Sequence, residues 1–177
     1  MIGIIGQGFV GNAVYKKFKN FYEVLTYDLD KDKCNSDIEE IVFKCENIFV
    51  CLPTPMSKDG SCDISIIEQT LSSIDLIADN LETIKTVVLK STIPPGTTES
   101  FNKKFTSLNI VFNPEFLTER NAVKDYDNQK RIILGGPRPA TTELKTIFSK
   151  VFPKAHIIKT DSSHAEMVKY FTNTFLA

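Results

Sequence analysis

The chain has 177 residues, 42% of them hydrophobic and 24% charged, which is enough to bury one core and close to single-domain size. A formal net charge of −1 gives no electrostatic reason to expect nucleic acid or an anionic membrane as a partner. No apolar stretch approaches the roughly 18 residues of a membrane span, and the first predicted strand begins at Met1, so we expect a cytoplasmic protein without a signal peptide. The 4 cysteines form neither a CxxC pair nor a Cys/His cluster, which predicts reduced thiols and no metal site.

A short apolar strand opens the chain and leads directly into a Gly-x-Gly-x-x-Gly turn at Gly6, Gly8 and Gly11. In dinucleotide-binding folds the first glycine allows a tight turn, and the second lets backbone N–H groups approach the pyrophosphate. The third lets the next helix pack closely on the strand. That helix, with apolar residues from Val10 to Phe21 at helical spacing, would point its positive dipole end at the phosphates. The motif taken alone also fits an ordinary strand-to-helix loop.

The second predicted strand covers residues 23–27 and ends at Asp28, which lies 22 positions after Gly6. An acidic residue at this place accepts hydrogen bonds from the ribose hydroxyls of NAD, and its charge repels the 2′-phosphate of NADP. The alternative is a solvated turn residue beside Asp30 and Asp32. Following the glycine turn, Asp28 predicts NAD as the cofactor.

Strands and helices alternate along the rest of the chain without a repeat or a long linker. Ser36–Glu39 resembles a capping box that opens a second helix, and Ile64–Ala78 repeats apolar residues at helical spacing. This alternation predicts an α/β fold of the Rossmann type, a doubly wound and mainly parallel sheet with helices on both faces. The later strands are predicted at Asn47–Leu52, which contains Cys51, and at Thr86–Leu89, Asn109–Phe112, Arg131–Leu134 and His156–Lys159.

Three loops at the carboxyl ends of neighbouring predicted strands carry hydroxyl, proline and acidic residues. Leu52–Pro55 is a stiff turn with one hydroxyl, and Lys90–Thr98 combines several hydroxyls with a diproline. Asn113–Glu119 carries two carboxylates, Glu115 and Glu119. Each loop alone is ordinary turn chemistry. Because ligands of parallel sheets collect at this edge, the three together predict a site.

A last helix is predicted to begin near Asp161 or Ser162. Glu166, Lys169 and Asn173 are spaced so that they project from one face of it. An ammonium group beside an amide can stabilise an alkoxide or oxyanion as charge develops. From the residues alone, a solvated helix face has the same pattern.

Together these segments resemble the UDP-glucose/GDP-mannose dehydrogenases, which oxidise the C6 alcohol of a nucleotide sugar to a carboxylate. The resemblance implies an NAD-dependent oxidoreductase, with UDP-glucose as the expected substrate and UDP-glucuronate as the product. It also implies two NAD per turnover, with an aldehyde trapped by a cysteine, oxidised to a thioester and hydrolysed. The segments that carry the resemblance, in the family's order, are Gly6–Gly11, Leu52–Pro55, Ser91–Thr98, Asn113–Leu117, Arg131–Gly136 and Ala165–Ala177.

The resemblance also implies roles for individual residues of this chain. The implied cofactor shell is Gly6, Gly8, Phe9, Val10, Gly11, Asp28, Lys33, Thr54, Thr92 and Glu119. The implied catalytic residues are Thr92 and Glu115, which would hold and activate water for thioester hydrolysis, with Lys169 and Asn173. The sugar nucleotide would be lined, largely through backbone groups, by Phe116, Leu117 and Thr118.

The sequence departs from the family's pattern in two places. Thr118 and Arg120 stand where a basic residue and a glycine are common, and no cysteine has the context of the family's nucleophile, which lies downstream of the Lys/Asn helix. We therefore expect residues 1–160 to form the NAD-binding domain and residues 161–177 to begin a helix that connects it to a missing substrate domain. Such a fragment would be inactive alone and would act with missing C-terminal domains or a partner chain, the full enzyme being a homodimer.

Two other functions fit the same residues. One is a non-catalytic module that binds NAD or another adenine nucleotide and uses its last helix as an interface for a partner chain. The other is a β-hydroxyacid dehydrogenase, whose members share a Gly-x-Gly-x-x-Gly entry and a Lys-x-x-x-Asn helix. The segment Asn113–Leu117 argues against this second alternative, because a simple hydroxyacid reaction does not need such a segment.

Overall fold

The computed structural model describes the backbone of residues 1–176 and the side chains of residues 1–175, so the predicted end at Ala177 lies outside the described residues. All seven predicted strands are confirmed, and helices lie between them. The strands are β1 (Ile2–Ile5), β2 (Val24–Tyr27), β3 (Asn47–Val50), β4 (Lys85–Leu89), β5 (Leu108–Phe112), β6 (Arg131–Gly135) and β7 (His156–Thr160). The helices are α1 (Phe9–Phe18), α2 (Ile38–Lys44), α3 (Ser65–Asn80), α4 (Thr97–Lys104), α5 (Ala122–Asp127), α6 (Arg138–Val151) and α7 (Ser162–Leu176).

One sheet contains all of these strands, in the order β2-β1-β3-β4-β5-β6-β7. The first five strands are parallel, so their carboxyl ends share one edge. The chain moves to one side of β1 for β2 and to the other side for β3, which makes the β1/β3 junction the switch point where such sheets bind ligands. The predicted doubly wound, mainly parallel Rossmann-type sheet is confirmed.

Two hydrophobic cores lie on opposite faces of this sheet, because successive strand residues point to opposite sides. In β3, Ile48 and Val50 face the core made with α2, α3 and α4, while Phe49 faces the core made with α1, α5 and α6. Phe18, Phe49 and Phe148 pack edge to face in the second core, with ring centroids 5.0 to 5.9 Å apart. Strands covered on both faces explain why the sequence reads as continuous apolar runs.

Two local predictions are corrected by the structure, and the direction of one strand is a new finding. Asp37 rather than Ser36 caps α2, with its carboxylate accepting from the Glu40 N–H at 2.7 Å, while the Ser36 hydroxyl bonds to the Glu40 side chain. Strand β3 ends at Val50, so Cys51 follows the strand instead of lying inside it. Strand β6 runs antiparallel to β5, which hydrophobic periodicity does not reveal because it is the same for both directions.

Helix α7 leaves the sheet after β7 and packs its first half against β6 and α4. A side chain at Gly135 would place its Cβ 2.5 Å from that of Ala165, so the strand and the helix touch closely. Further along, Phe171 and Phe175 stack on each other, with centroids 6.0 Å apart, and are 69% and 79% exposed. Among the described helices, none is long and apolar enough to cross a bilayer.

Candidate active site

The glycine turn has a different steric reason for each of its three glycines. Gly6 has a φ of +90°, in the left-handed region that favours glycine, and a Cβ there would lie 2.4 Å from the Cys51 carbonyl oxygen. A Cβ on Gly11 would lie 1.8 Å from the Gly6 carbonyl oxygen, so α1 can approach the turn only without a side chain. A Cβ on Gly8 would meet nothing within 4 Å. The middle glycine therefore borders open space, as the approach of a pyrophosphate requires.

A cleft of about 730 Å³ opens at the carboxyl edge between β1 and β4. It has the position that the sheet topology predicts for a ligand. The residues predicted from sequence that line it are Gly6, Gly8, Phe9, Val10, Asp28, Lys33, Thr54, Thr92 and Glu115. Gly11 lies behind the cleft, where it packs α1 against the turn.

Asp28 stands at the end of β2 and is bound to the glycine turn itself. Its Oδ2 accepts from the Gln7 N–H at 2.6 Å, and its Oδ1 accepts from the Asp30 N–H at 2.9 Å. The Cys34 thiol lies 3.0 Å from the Asp28 nitrogen and 2.9 Å from its carbonyl oxygen, a contact that the sequence did not suggest. The carboxylate at the cleft is thus held in place from both sides.

Lys33 lines the cleft beside Asp28 but has its own partner. Its ammonium group lies 2.9 Å from Asp30 Oδ2, and this hydrogen bond raises the pKa of Lys33 and lowers that of Asp30. Both side chains are about half exposed, so the pair adds little stability. The lysine can therefore exchange Asp30 for a ligand at small cost.

The loops after β3 and β4 are tied to each other along one wall of the cleft. The Leu52 N–H donates to the Ser91 hydroxyl at 3.0 Å, and the Thr54 hydroxyl donates to the Thr92 carbonyl at 2.8 Å. These bonds place the Thr54 and Thr92 side chains at the same wall. They also explain why the two loops carry hydroxyl residues.

Glu115 and Lys169 form a buried ion pair between the loop after β5 and helix α7. The Lys169 Nζ lies 2.9 Å from Glu115 Oε1 and 2.6 Å from the Glu115 carbonyl oxygen, and both side chains are nearly buried. The second carboxylate oxygen of Glu115 accepts from the Leu117 N–H at 2.7 Å. Two charges removed from water need such partners. Glu115 lines the cleft, whereas Lys169 contacts Glu115 and is not part of the cleft lining.

Residues 23–154 match the model of a protein family described as "UDP-glucose/GDP-mannose dehydrogenase family, NAD binding domain". The chain belongs to this family. The predicted family and its cofactor NAD are thereby confirmed.

Dehydrogenases of this family from archaea and bacteria are similar to the chain over 99% of its length. It is 30% identical to UDP-glucose 6-dehydrogenase AglM of Haloferax volcanii and 31% identical to UDP-glucose 6-dehydrogenase of Campylobacter jejuni. A UDP-glucose dehydrogenase of Pyrobaculum islandicum superimposes with a TM-score of 0.88 at 25% identity, over 99% of this chain and 49% of that one. The chain covers 51% and 52% of the first two proteins, so it spans about half the length of these relatives.

Several residues that the dehydrogenase resemblance implicated lie away from the cleft wall. Phe116 is 44% exposed and has the Lys169 ammonium 5.6 Å from its ring centroid, while the Thr118 hydroxyl donates to Asp125 at 2.6 Å. Leu117 packs partly against the core formed with α1, α5 and α6. Glu119 lines a neighbouring depression that also contains Phe9.

The three residues of the last helix that were predicted to share a face have different surroundings. Lys169 is buried against Glu115, Glu166 is buried against α4, and Asn173 is exposed. Within the part of the chain that the structure describes, Asn173 contributes nothing to the lining of the cleft. Lys169 binds Glu115 here, and the donor pair of Lys169 with Asn173 stays a prediction.

Lys90 is a cleft residue to which the sequence assigned no role. It is 2% exposed, and its ammonium donates to Asn113 Oδ1 at 2.7 Å and to the Asn113 carbonyl at 3.3 Å. Burial lowers its pKa to about 8. The only signal in the sequence is that Lys90 follows directly on the apolar run Val87–Leu89, a position that surface lysines also occupy. Lys90 connects the exits of β4 and β5.

Among the described residues there is no metal cluster, and burial affects the thiols of Cys45 and Cys51. No group of three or more His, Cys, Asp or Glu side chains in that part of the chain could hold a metal ion. Burial raises the pKa of Cys45 to about 11 and that of Cys51 to about 12. Since the thiolate is the nucleophile, these two thiols are unreactive near neutral pH.

Proposed function

We propose that this chain is the NAD-binding portion of a nucleotide-sugar 6-dehydrogenase that oxidises the C6 alcohol of UDP-glucose to a carboxylate. The observation that carries the proposal is the buried pair of Glu115 and Lys169 at the edge of a glycine-bordered cleft. A buried charge pair in a cleft is typical of acid–base and electrostatic catalysis.

The cleft residues fit NAD as far as this chain provides them. The open space beside Gly8 and the N-terminus of α1 suit a pyrophosphate, and Asp28 is held where a ribose would offer its hydroxyls. We assign Gly6, Phe9, Val10, Gly11, Lys33, Thr54, Thr92 and Glu119 to the same cofactor shell. When bound, NAD supplies the acceptor for the hydride that leaves the alcohol carbon.

Lys169 is assigned the stabilisation of negative charge on the C6 oxygen. An ammonium group has three donors, and two of them are used by Glu115 Oε1 and the Glu115 carbonyl oxygen. The third N–H is left for the substrate oxygen, whose charge grows as the alcohol loses its proton. Asn173 would add an amide donor once the helix is covered by the rest of the enzyme.

Thr92 and Glu115 are assigned the water that completes the reaction. Both side chains line the cleft, one from the loop after β4 and the other from the loop after β5. The second oxidation yields a thioester, and attack by water on its carbonyl carbon releases the carboxylate and the thiol. Burial keeps Cys45 and Cys51 protonated. Because no cysteine of this chain has the sequence context of the family's nucleophile, we assign the thiol to a part of the enzyme outside this sequence.

The sugar nucleotide is assigned to the segment beyond Glu115, where the backbone of Phe116, Leu117 and Thr118 borders the buried pair. The remaining domains, and a second subunit in the expected homodimer, would close this side.

The test has two parts. Calorimetric titration of this chain with NAD, and then with UDP-glucose, measures both binding events. The complete gene product is then supplied with UDP-glucose, and NADH and the acid are counted. We expect two NADH per molecule of sugar oxidised. NAD binding with neither sugar binding nor turnover would favour the non-catalytic module. One NADH per molecule of 3-hydroxyisobutyrate would favour the hydroxyacid dehydrogenase.

A further inference from the structure

Glu166 is a fully buried carboxylate on α7 whose hydrogen bonds all go to the start of α4. Its Oε2 accepts from the Gly96 N–H at 2.6 Å, and its Oε1 accepts from the Thr98 N–H at 2.8 Å and the Thr98 hydroxyl at 2.6 Å. A carboxylate removed from water is stable only when its oxygens are hydrogen-bonded. The three hydrogen bonds, which join residues 68 to 70 positions apart in sequence, meet that requirement.

The start of α4 has no capping side chain of its own. Gly96 occupies the N-cap position with a φ of +90° and has no side chain to accept from the first turn. The first N–H groups of a helix lack partners within the helix, and a negative charge near them is favourable. Glu166 therefore caps the start of α4 from another helix, a role that a local Ser, Thr or Asp side chain has in most helices.

The loop that ends at Gly96 is the one that carries Thr92. At its beginning, Ser91 accepts from the Leu52 N–H, and the Thr92 carbonyl accepts from Thr54. Only the short segment with the diproline lies between these bonds and the contact with Glu166. A stiff segment held at both ends leaves little freedom to the residues within it.

One turn further along α7, Lys169 holds Glu115. Residues three apart lie on the same side of a helix, so one face of α7 holds both loops that carry the proposed water-activating side chains, Thr92 and Glu115. We propose that Glu166 is a positioning residue: through the loop from Ser91 to Thr98 it places Thr92 at the cleft, without touching substrate or cofactor. This inference rests on the proposed function.

The test compares Glu166→Gln with Thr92→Val and the double variant in the complete enzyme. Glutamine keeps the shape but replaces one acceptor oxygen by an NH₂ group that cannot accept from the α4 N–H groups. We expect kcat to fall about 10- to 100-fold, as for small misplacements of a catalytic group. The KM for UDP-glucose and the Kd for NAD should stay within about threefold. If Glu166 acts through Thr92, the double variant is no slower than Thr92→Val alone.

A second readout follows the hydrolysis step. If Thr92 is displaced, the thioester should accumulate, and mass spectrometry of the quenched enzyme should find the sugar nucleotide bound to the protein in Glu166→Gln and Thr92→Val. A loss of stability alone would not produce this adduct. Hydrogen exchange at either the Gly96 or the Thr98 amide should also accelerate in Glu166→Gln, because the amide that faces the NH₂ group loses its acceptor.

Two further variants keep the inference falsifiable if Glu166→Gln does not fold. Thr98→Val removes one of the three donors and should give a smaller kcat defect of the same kind. Glu143→Gln is the matched control, since Glu143 accepts from the Asn47 side chain at 2.9 Å near the opposite edge of the sheet. The inference would be overturned if kcat were unchanged in both Glu166→Gln and Thr98→Val, or if Glu143→Gln lowered kcat as much as they do. It would also be overturned if the kcat losses of Glu166→Gln and Thr92→Val multiplied in the double variant. A wild-type enzyme that does not oxidise UDP-glucose would refute the proposed function, and the inference with it.

Discussion

Replacing Gly8 by alanine separates binding from folding more cleanly than any other change in the glycine turn. Gly8 has φ −64° and ψ −165°, which an alanine adopts without strain, and its added Cβ meets nothing within 4 Å. Replacing glycine lowers the conformational entropy of the unfolded chain, which stabilises the fold by about 0.4 to 1 kcal/mol. Alanine is a poorer N-cap residue than glycine, which costs a similar amount. The free energy of unfolding should therefore change by less than about 1 kcal/mol.

NAD binding should suffer from the same substitution. The methyl group would occupy the open space that the pyrophosphate must enter, and overpacking by one methyl costs about 1 to 3 kcal/mol. That corresponds to a Kd about 5- to 150-fold higher. Calorimetric titration with NAD measures the Kd, and urea denaturation measures stability.

Gly11→Ala and Gly60→Ala are the matched controls. In Gly11→Ala the Cβ would lie 1.8 Å from a backbone oxygen, so the helix must shift, and unfolding should become easier by about 3 kcal/mol or more. Gly60 also borders open space but lies outside the cleft, and its φ of +86° makes alanine strained there. Gly60→Ala should therefore lower the free energy of unfolding and leave the Kd for NAD unchanged. A Gly8→Ala protein that binds NAD as tightly as wild type would refute the assignment of this turn to the pyrophosphate.

Three further predictions concern the ribose contact, the buried lysine and the core. Asp28→Ala should weaken NAD binding by about 1 to 3 kcal/mol in a calorimetric titration, since a charged hydrogen-bond partner is lost; an unchanged Kd would remove Asp28 from the site. The pKa of Lys90 falls from 10.5 to about 8 on folding, so between these values the unfolded chain binds more protons and stability rises with pH. Relative to Lys90→Met, the wild type should gain up to about 3 kcal/mol between pH 7 and 11 in urea denaturation, and a constant difference would contradict this. Phe148→Ala should lower the free energy of unfolding by about 3 to 5 kcal/mol while leaving the Kd for NAD unchanged, which the same two measurements check.

The strands and the cofactor turn were predictable because their signals are local. A strand buried on both faces must be a short apolar run, and the three glycines of the turn stand at a short fixed spacing that the sequence shows directly. The close approach of the Cys51 carbonyl to Gly6 is visible only in the structure. Strand ends were less certain. The predicted strand continues through Leu52 because residues 48–52 are all apolar. The chain leaves the sheet after Val50, and the next residues form the cleft wall.

The partners of charged residues could not be predicted in this way. Glu166, Lys169 and Asn173 have the spacing of one helix face, yet the first holds a helix start and the second holds Glu115. Lys90 follows an apolar run as many surface lysines do, and only the structure shows that it is buried and bound to Asn113. Such contacts join residues 23 to 70 positions apart, and helical or strand periodicity carries no information at that range.

The amino-acid sequence by itself determined the order of strands and helices, the glycine turn, the acidic residue after β2 and the family, since all of these depend on residue type at short spacing. Only the tertiary structure decided the direction of β6, the capping of α4 by Glu166 and the burial of Lys90 and Lys169. The physical reason is that the energy of a buried charge depends on which distant groups surround it after the sheet has assembled.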